Sequence, residues 1–180
     1  MKTWIALLRG INIGGHHKLP MKELRDLLTG LGYRNVQTYG QSGNCVFRSK
    51  EKSPEKMGFE IADAVEAAYG FKPKVFVLTL DILKAAIRAN PFKEATEMKS
   101  VHLLFLEGEP EEIDLEGLKS HAKPSEEIFL KKKVLYLHTP EGSGRSKMVE
   151  KIPKYVPAGM TGRNLRTVKE VVALATAADC

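Results

Sequence analysis

The order of apolar patterns along residues 1–79 restricts the fold of this chain more than any other feature. An apolar strand pattern comes first, and apolar residues at helical spacing follow Pro20, a residue suited to a first helical position. VQTY and NCVFRS then flank the turn GQSG and predict a hairpin, and a second helical stripe runs from Pro54 to Gly70 before the strand VFVLT. This βαββαβ order predicts a ferredoxin-like unit, because right-handed crossovers and an antiparallel sheet leave few alternatives.

The rest of the chain repeats this order in part, after a linking helix and loop over residues 80–99. The pattern there predicts a strand, a short helix, a hairpin and two helices, at 101–106, near Leu115, in EEIFLKKKVLYLH, near Ser146 and from Leu165. We therefore expect an α+β protein with a ferredoxin-like subdomain at residues 1–79 and a second α+β subdomain at 100–180. The second subdomain is expected to be an incomplete ferredoxin-like half packed against the first.

The first strand is apolar on both faces. Trp4, Ala6 and Leu8 point one way, Ile5 and Leu7 point the other, and VFVL in a later strand is likewise apolar throughout. The predicted sheet is therefore covered on both sides, by the second half of the chain or by a partner subunit in a homo-oligomer. Either cover excludes the exposed aromatic surface on which an RNA-recognition motif stacks bases.

The charge of the chain favours an anionic partner. Its formal net charge is +6 at pH 7. The run Glu107–Glu116 contains acidic charges and no basic ones, whereas Lys131–Arg166 is strongly basic. An anionic small molecule or a nucleic acid is therefore the expected partner.

The cysteines and the apolar segments indicate the compartment. Cys45 lies in an apolar strand pattern and Cys180 is the last residue, so neither a disulfide framework nor a zinc site is expected. No apolar segment is long enough to span a bilayer, and the stretch Trp4–Leu8 is too short for a signal peptide. We expect a soluble cytoplasmic protein with reduced thiols and no membrane partner.

A glycine-rich loop, RGINIGGHHK, joins the first strand to the first helix. Loop amides that gather at a helix N-terminus favour anions, which is the principle of phosphate-binding loops. The known patterns do not match, since a Walker A sequence needs Lys and Ser or Thr where His16 and His17 stand, and a dinucleotide fingerprint needs glycine at Asn12. The alternative that the glycines only allow a tight, positive-φ connection stays open.

Topology places a second polar loop beside the first. The first and second strands of a βαββαβ unit run in the same direction, so the glycine-rich loop and the turn GQSGN emerge at one end of the sheet. Charged, amide and hydroxyl donors converge there, as a polar-ligand site requires. The predicted anion-binding residues at this end are Arg9, Gly10, Asn12, Gly14, Gly15, Lys18, Gln41, Ser42 and Asn44.

A second basic segment, GSGRSK, places Arg145 and Lys147 where a helix is predicted to begin, with Ser146 between them. A solvated basic turn explains the same residues without any ligand. In GRNLRTV, Asn164 suits the N-cap of the last helix, and Arg163 keeps a role in anion binding.

Known catalytic sets are missing from the sequence. His16 and His17 are adjacent and have no acidic residue close in sequence to orient them, and no serine-hydrolase or metalloprotease motif occurs. No metal and no cofactor are therefore expected, and no catalytic residue is assigned.

Longer motifs resemble one family. ALLRGINIGG, GYRNVQTYGQSGNCVF, ANPF, VLYLH, GSGRSK and RNLRTV together are similar to the bacterial domain-of-unknown-function family 1697 over nearly the whole chain. The resemblance implies a compact α+β fold with ferredoxin-like subdomains, and it implies no activity. Two positions depart from the family pattern, which usually has tryptophan at Leu165 and valine or isoleucine at Cys45. The family signature falls on Arg9, Gly10, Asn12, Gly14, Gly15, Gln41, Ser42, Gly43, Asn44, Gly144, Arg145, Ser146, Lys147, Arg163, Asn164 and Thr167.

Three functions are compatible with the sequence. The first is a binding module for a phosphate-bearing or otherwise anionic ligand, nucleic acid included, held at Gly10–Gly15 and Gln41–Asn44. The second is a small-molecule enzyme that uses the same site without a protein nucleophile. The third is a structural or regulatory partner-binding protein in which the signature residues only build turns. Binding is favoured over catalysis because hydrogen-bond donors and basic residues are plentiful and no general base stands out.

Overall fold

The computed structural model of the chain describes residues 1–110 and 112–179, so Glu111 in the acidic run and Cys180 lie outside the described residues. The chain divides into two compact units. Unit 1 comprises Met1–Lys84 and the segment that begins at Lys169, and unit 2 comprises Ala85–Val168.

Unit 1 has the predicted βαββαβ order. Its elements are β1 (Lys2–Arg9), α1 (Met21–Gly30), β2 (Arg34–Tyr39), β3 (Asn44–Ser49), α2 (Pro54–Tyr69) and β4 (Lys74–Thr79). The four strands form one antiparallel sheet in the order β2-β3-β1-β4, with β1 as a central strand. This is the ferredoxin-like arrangement, and that prediction is confirmed.

Both faces of strand β1 are buried, as its sequence predicts. Trp4, Ala6 and Leu8 pack in one core with side chains of α1 and α2. On the opposite face, Ile5 and Leu7 are 0% and 1% exposed. Each of these large side chains contributes about 1.5 to 3 kcal/mol on burial, so the strand is a main source of stability. A ligand of unit 1 therefore meets β1 only at its ends.

Helix α2 begins and ends where its sequence signals place it. The Ser53 hydroxyl oxygen accepts the backbone N–H of Lys56 at 3.1 Å, and Pro54 occupies the first helical position. Gly70 follows the helix with a φ of +74°, and its N–H donates to the Glu66 carbonyl at 2.9 Å.

Unit 2 repeats the topology of unit 1. Its elements are the end of α3 (Leu80–Ala89), a 3₁₀ turn (Met98–Ser100), β5 (Val101–Leu106), α4 (Leu115–Lys119), β6 (Glu127–Lys131), β7 (Val134–His138), a second 3₁₀ turn (Ser143–Arg145), α5 (Lys147–Tyr155), β8 (Met160–Asn164) and the start of α6 (Leu165–Asp179). The sheet order β6-β7-β5-β8 is that of unit 1 with each strand replaced by its counterpart. The predicted α+β fold with two ferredoxin-like halves is confirmed.

The second half is more complete than its sequence pattern indicates, because β8 supplies a fourth strand. The segment MTGRN has no apolar run, so it carries no strand signal of its own. Its place is set by pairing with β5, where Gly162 lies opposite Leu104 and Arg163 opposite Leu103. A Cβ atom on Gly162 would lie 3.3 Å from the Leu104 side chain, so glycine allows this edge strand to approach closely.

The second sheet is also buried on both faces. Leu104 and Leu106 pack in a core with side chains of α4 and α5. On the other face, Phe105 and Tyr136 are 2% and 1% exposed, and the Tyr136 hydroxyl donates to the Ala86 carbonyl at 2.8 Å. Burial raises the pKa of Tyr136 to about 12, so this hydroxyl stays a donor at neutral pH.

Two narrower predictions concern Cys45 and membrane insertion. Cys45 is 0% exposed and packs in the first core as a small apolar side chain, as expected. Among the described residues, none of the helices has both the length and the apolar character needed to cross a bilayer.

Glu51 organises the chain just before α2. Its carboxylate accepts hydrogen bonds from the Lys56 ammonium at 2.7 Å and from the backbone N–H groups of Ser53 and Lys52 at 3.0 and 2.7 Å. The Lys56 contact, followed by the two N–H groups, lowers the pKa of Glu51 from 4.5 to about 2.

Glu51 should therefore make the stability of the protein depend on pH in acid. Since the folded pKa is lowered, the carboxylate stabilises the protein fully above pH 4.5, and this contribution is lost as the pH falls towards 2. We expect Glu51→Gln to lower the free energy of unfolding at pH 7 and to flatten its decline between pH 4.5 and 2, measured by urea unfolding at each pH. The exposed Glu94→Gln controls for the loss of one negative charge. Parallel pH profiles for Glu51→Gln and the unchanged protein would contradict this role.

Candidate functional site

The glycine-rich loop folds as a small β-hairpin. The backbone N–H of Asn12 donates to the His17 carbonyl at 3.0 Å, and the N–H of His16 donates to the Ile13 carbonyl at 2.9 Å. Gly14 and Gly15, which lie between Ile13 and His16, have φ angles of +56° and +80°. Positive φ at both central residues is the feature of the type I′ turn, which connects antiparallel strands tightly. We call Asn12–His17 the glycine hairpin.

The glycine hairpin does not lie at the N-terminus of α1. That helix begins at Met21, with Pro20 as its N-cap residue and Lys18 and Leu19 between hairpin and helix. The hairpin N–H groups of Asn12 and His16 are used across the hairpin itself. The expectation that the loop amides gather at a helix N-terminus is therefore wrong, because five residues separate the two glycines of the turn from the first residue of the helix.

The glycine hairpin and the β2–β3 turn do meet, as topology predicts. The Asn12 side-chain Nδ2 donates to the Gln41 carbonyl at 2.8 Å, which joins the two loops directly. Beside it, the backbone N–H of Leu8 donates to the Gly43 carbonyl at 2.9 Å. The end of β1 is thus bonded to the neighbouring turn at two points.

Asn12 acts as a structural latch in this arrangement. Besides its bond to Gln41, its Nδ2 donates to the Leu19 carbonyl at 3.0 Å, and its Oδ1 accepts the Leu19 N–H at 2.8 Å. Both amide hydrogens are therefore engaged within the chain. The φ of Asn12 is +53°, a left-handed conformation that asparagine tolerates better than most residues. The sequence predicts Asn12 as a ligand donor, but both N–H groups of its amide already donate to carbonyls of the chain.

Asn44 is also part of the scaffold. Its side chain is 2% exposed, and its Nδ2 donates to the Tyr39 carbonyl across the β2–β3 turn at 2.9 Å. Gln41 and Ser42, the other two polar residues predicted in this turn, are exposed.

Gly43 allows the turn to lie directly against β1. Its φ is +74°, and a Cβ atom built there would lie 2.7 Å from the Leu8 Cβ and 2.8 Å from the Ile11 Cδ1. Real side chains do not approach so closely, so the bond between Leu8 and Gly43 depends on glycine at this position.

The surface of this end of unit 1 is formed by the hairpin and its flanking residues. Ile13, at the tip, is 66% exposed. The His17 ring stacks on Phe71 with 4.5 Å between ring centroids, and its Nδ1 lies 2.9 Å from the Gly10 carbonyl oxygen. Arg9, Gly10, Gly14, Gly15, His16 and Lys18 are exposed.

A further cation, Lys74, lies at this end and was missed by the sequence prediction. In the pairing of β1 with β4, Arg9 lies directly opposite Lys74, and both are exposed. Directly opposite residues of antiparallel strands place their side chains on the same face. The βαββαβ order alone predicts that β4 pairs with β1, so a register for that pair is the signal that identifies Lys74.

The second predicted basic region lies in unit 2. Ser146 is 5% exposed and caps α5, where its hydroxyl oxygen accepts the Val149 N–H at 3.1 Å. Arg145 and Lys147, on either side of Ser146, are exposed. Ser146 therefore caps a helix, whereas its two basic neighbours lie at the surface.

Arg163 and Asn164 also make contacts within unit 2. The Arg163 guanidinium donates to the Thr161 hydroxyl at 3.0 Å and to the Gly162 carbonyl at 2.8 Å. Asn164 accepts the Thr167 N–H at 2.9 Å, which is the predicted N-cap of α6. Among residues 1–110 and 112–179, no cluster of three or more His, Cys, Asp or Glu side chains is placed to hold a metal ion.

Comparison with known proteins identifies the family. The family model described as "Protein of unknown function (DUF1697)" matches residues 1–136, so the chain belongs to the DUF1697 family. A solved structure of a conserved bacterial protein from Streptococcus pneumoniae superposes with a TM-score of 0.71 at 24% identity, covering 96% of this chain and 98% of that one. At this identity the similarity concerns the fold alone. No curated protein matches the chain significantly.

The close approach at Gly43 predicts that substitution by alanine costs more stability at Gly43 than at Gly15. Gly43→Ala should lower the free energy of unfolding by about 3 kcal/mol or more, because it combines a left-handed backbone with a steric clash. Gly15→Ala has the same backbone problem but no atom within 4 Å, so it should cost about 1 kcal/mol. Urea unfolding of both variants measures the difference. Equal losses would show that the turn does not lie tightly against β1.

The latch predicts an effect of Asn12 on stability. Asn12→Ala removes three hydrogen bonds and should lower the free energy of unfolding by about 2 to 3 kcal/mol. Gln41→Ala is the matched control, because Asn12 contacts only the backbone carbonyl of that residue and the Gln41 side chain is exposed. The control should change stability by less than about 0.5 kcal/mol. Similar stability of the two variants would exclude the latch.

Proposed function

We propose that this DUF1697 protein is a binding module for nucleic acid, and that the glycine hairpin with its flanking cations is the contact element. The observation that carries the proposal is that Arg9 and Lys18 are exposed on either side of the hairpin, with Lys74 opposite Arg9 on β4. Three cations at one end of unit 1 favour an anionic partner there.

The composition of the contact element suits phosphate groups. Arg9 and Lys18 are exposed on either side of the hairpin, at the point where it leaves and rejoins the body of unit 1. Arginine binds phosphate oxygens through two parallel N–H groups, and lysine supplies a compact charge. Between them, the exposed Ile13 offers apolar contact to a sugar or a base.

The hairpin is also held rigidly enough for binding. The type I′ turn, the Asn12 latch and the stacking of His17 on Phe71 support it from three sides. These contacts restrict the hairpin backbone before a partner binds, which favours affinity.

The exposed stretch Ile13–Lys18 favours a macromolecular partner over a small substrate. Residues exposed one after another form a convex surface, whereas small-molecule sites are concave. An enzyme would use the same predicted site, and two of its predicted donors, Asn12 and Asn44, have amides that are engaged within the chain. Arg145 and Lys147 in unit 2 remain predicted phosphate contacts.

Salt dependence tests the proposal. Binding of a fluorescent single-stranded oligonucleotide and of a duplex is measured by anisotropy between about 50 and 200 mM salt. Replacing both cations in Arg9→Gln/Lys18→Gln should weaken binding and reduce the slope of log affinity against log salt by about 2. The control Lys93→Gln/Lys99→Gln removes the same charge from exposed positions in unit 2 and should leave the slope unchanged.

Stability measurements separate this role from a structural one. Because Arg9 is exposed, Arg9→Gln should change the free energy of unfolding by less than about 0.5 kcal/mol while it weakens binding. A flat salt response of the unchanged protein, or an equal loss of affinity in the unit 2 control, would exclude nucleic acid as the partner of the hairpin.

A further inference from the structure

We propose a second binding site in unit 1, at the start of β1, that takes a small organic oxyanion such as a carboxylate or a phosphate monoester. A cavity of about 410 Å³ lies there, within the size range of sites for small ligands. We call it the Trp4 cavity. Its lining residues are Met1, Lys2, Trp4, Ser49, Lys50, Glu51 and Lys52.

Trp4 provides a buried donor whose partner is missing. The side chain is 3% exposed, and its indole N–H has no acceptor among the described residues. A buried donor left in this state costs about 1 to 3 kcal/mol, and nearly all such groups in proteins are satisfied. A ligand that brings an acceptor oxygen to the cavity would remove that cost.

Ser49 adds a second donor to the same cavity. Its hydroxyl oxygen accepts the Glu51 N–H at 3.0 Å, and the side chain is 6% exposed. The hydroxyl hydrogen is thereby left to donate. Two residues that line the cavity therefore carry donors, an indole N–H and a hydroxyl, that an acceptor oxygen would satisfy.

The charges around the cavity favour an anion. Lys2, Lys50 and Lys52 line it and are exposed. The acidic lining residue, Glu51, is neutralised by Lys56 at 2.7 Å and accepts two backbone N–H groups. Three cations therefore face the cavity, against a carboxylate that is already paired.

Lys2 is the movable cover of the site. Its ammonium lies 4.7 Å from the centroid of the Trp4 ring, in a cation–π contact worth about 0.5 to 1 kcal/mol at an exposed position. An oxyanion attracts this ammonium more strongly than the ring does. We expect Lys2 to leave the ring when the ligand binds, so that the ligand oxygen reaches the indole N–H.

The site is independent of the glycine hairpin. Trp4 lies near the start of β1 and Arg9 at its end, so roughly 17 Å of strand separates the two regions. We expect substitutions in one region to leave binding at the other unchanged, and failure of the nucleic-acid proposal would not bear on the oxyanion site.

Trp4 is the one tryptophan of the chain, so its fluorescence reports on the cavity directly. Titration with benzoate and with phenyl phosphate should each produce a saturable change in emission, and the tighter of the two identifies the preferred oxyanion. Benzyl alcohol, which has the ring without the charge, should produce no saturable change. Absence of saturation with both oxyanions, or equal binding of benzyl alcohol, would overturn the proposal.

Variants separate the charge from the indole donor. Lys50→Gln/Lys52→Gln should weaken binding of the preferred oxyanion about tenfold, whereas Lys93→Gln/Lys99→Gln should leave it unchanged. Trp4→Phe keeps an aromatic ring and removes the N–H, and calorimetry should show at least a fivefold loss of affinity. If Trp4→Phe does not fold, the lysine variant decides. Affinity that is unchanged by the lysine variant would overturn the site.

Discussion

Strand β1 pairs with a neighbour along each edge, and side chains on both of its faces are buried. A polar side chain without a partner is costly along such a strand, because an unsatisfied polar group in a core costs more than one hydrogen bond contributes. The groups of unit 1 that could bind a ligand therefore lie at the two ends of the strand. One end carries the glycine hairpin and its cations, and the other carries the Trp4 cavity.

The polar residues at the hairpin end divide into a scaffold and a contact surface. Asn12 joins the glycine hairpin to the β2–β3 turn, Asn44 bonds across that turn, and Gly43 lets the turn lie against Leu8 and Ile11. Arg9 and Lys18 take no part in that joining and stay at the surface. A sequence signature that mixes both kinds of residue therefore does not by itself distinguish binding from turn formation, and only the hydrogen-bond partners separate them.

Unit 2 has the topology of unit 1, but its sequence repeats the pattern of unit 1 only in part. The family model ends at residue 136, within β7, whereas the similarity in fold to the Streptococcus pneumoniae protein covers 96% of the chain. β8 shows why a strand can keep its place in the fold without an apolar sequence pattern. An edge strand paired on one side needs only a compatible backbone, and Gly162 opposite Leu104 meets that need without an apolar run.

Local information in the sequence was sufficient for the element order, the burial of both faces of β1, the limits of α2 and the meeting of the two loops at one end of the sheet. These features follow from apolar spacing, capping residues and the fixed direction of strands, which act over short distances. The tertiary structure decided the rest, namely that the glycines close a hairpin before the helix, that Asn12 is a latch, that Lys74 faces Arg9, and that residues from Lys169 onward belong to unit 1. Each of these depends on which atoms meet across long stretches of chain, and a side chain's role as donor or scaffold is set by the partner it finds there.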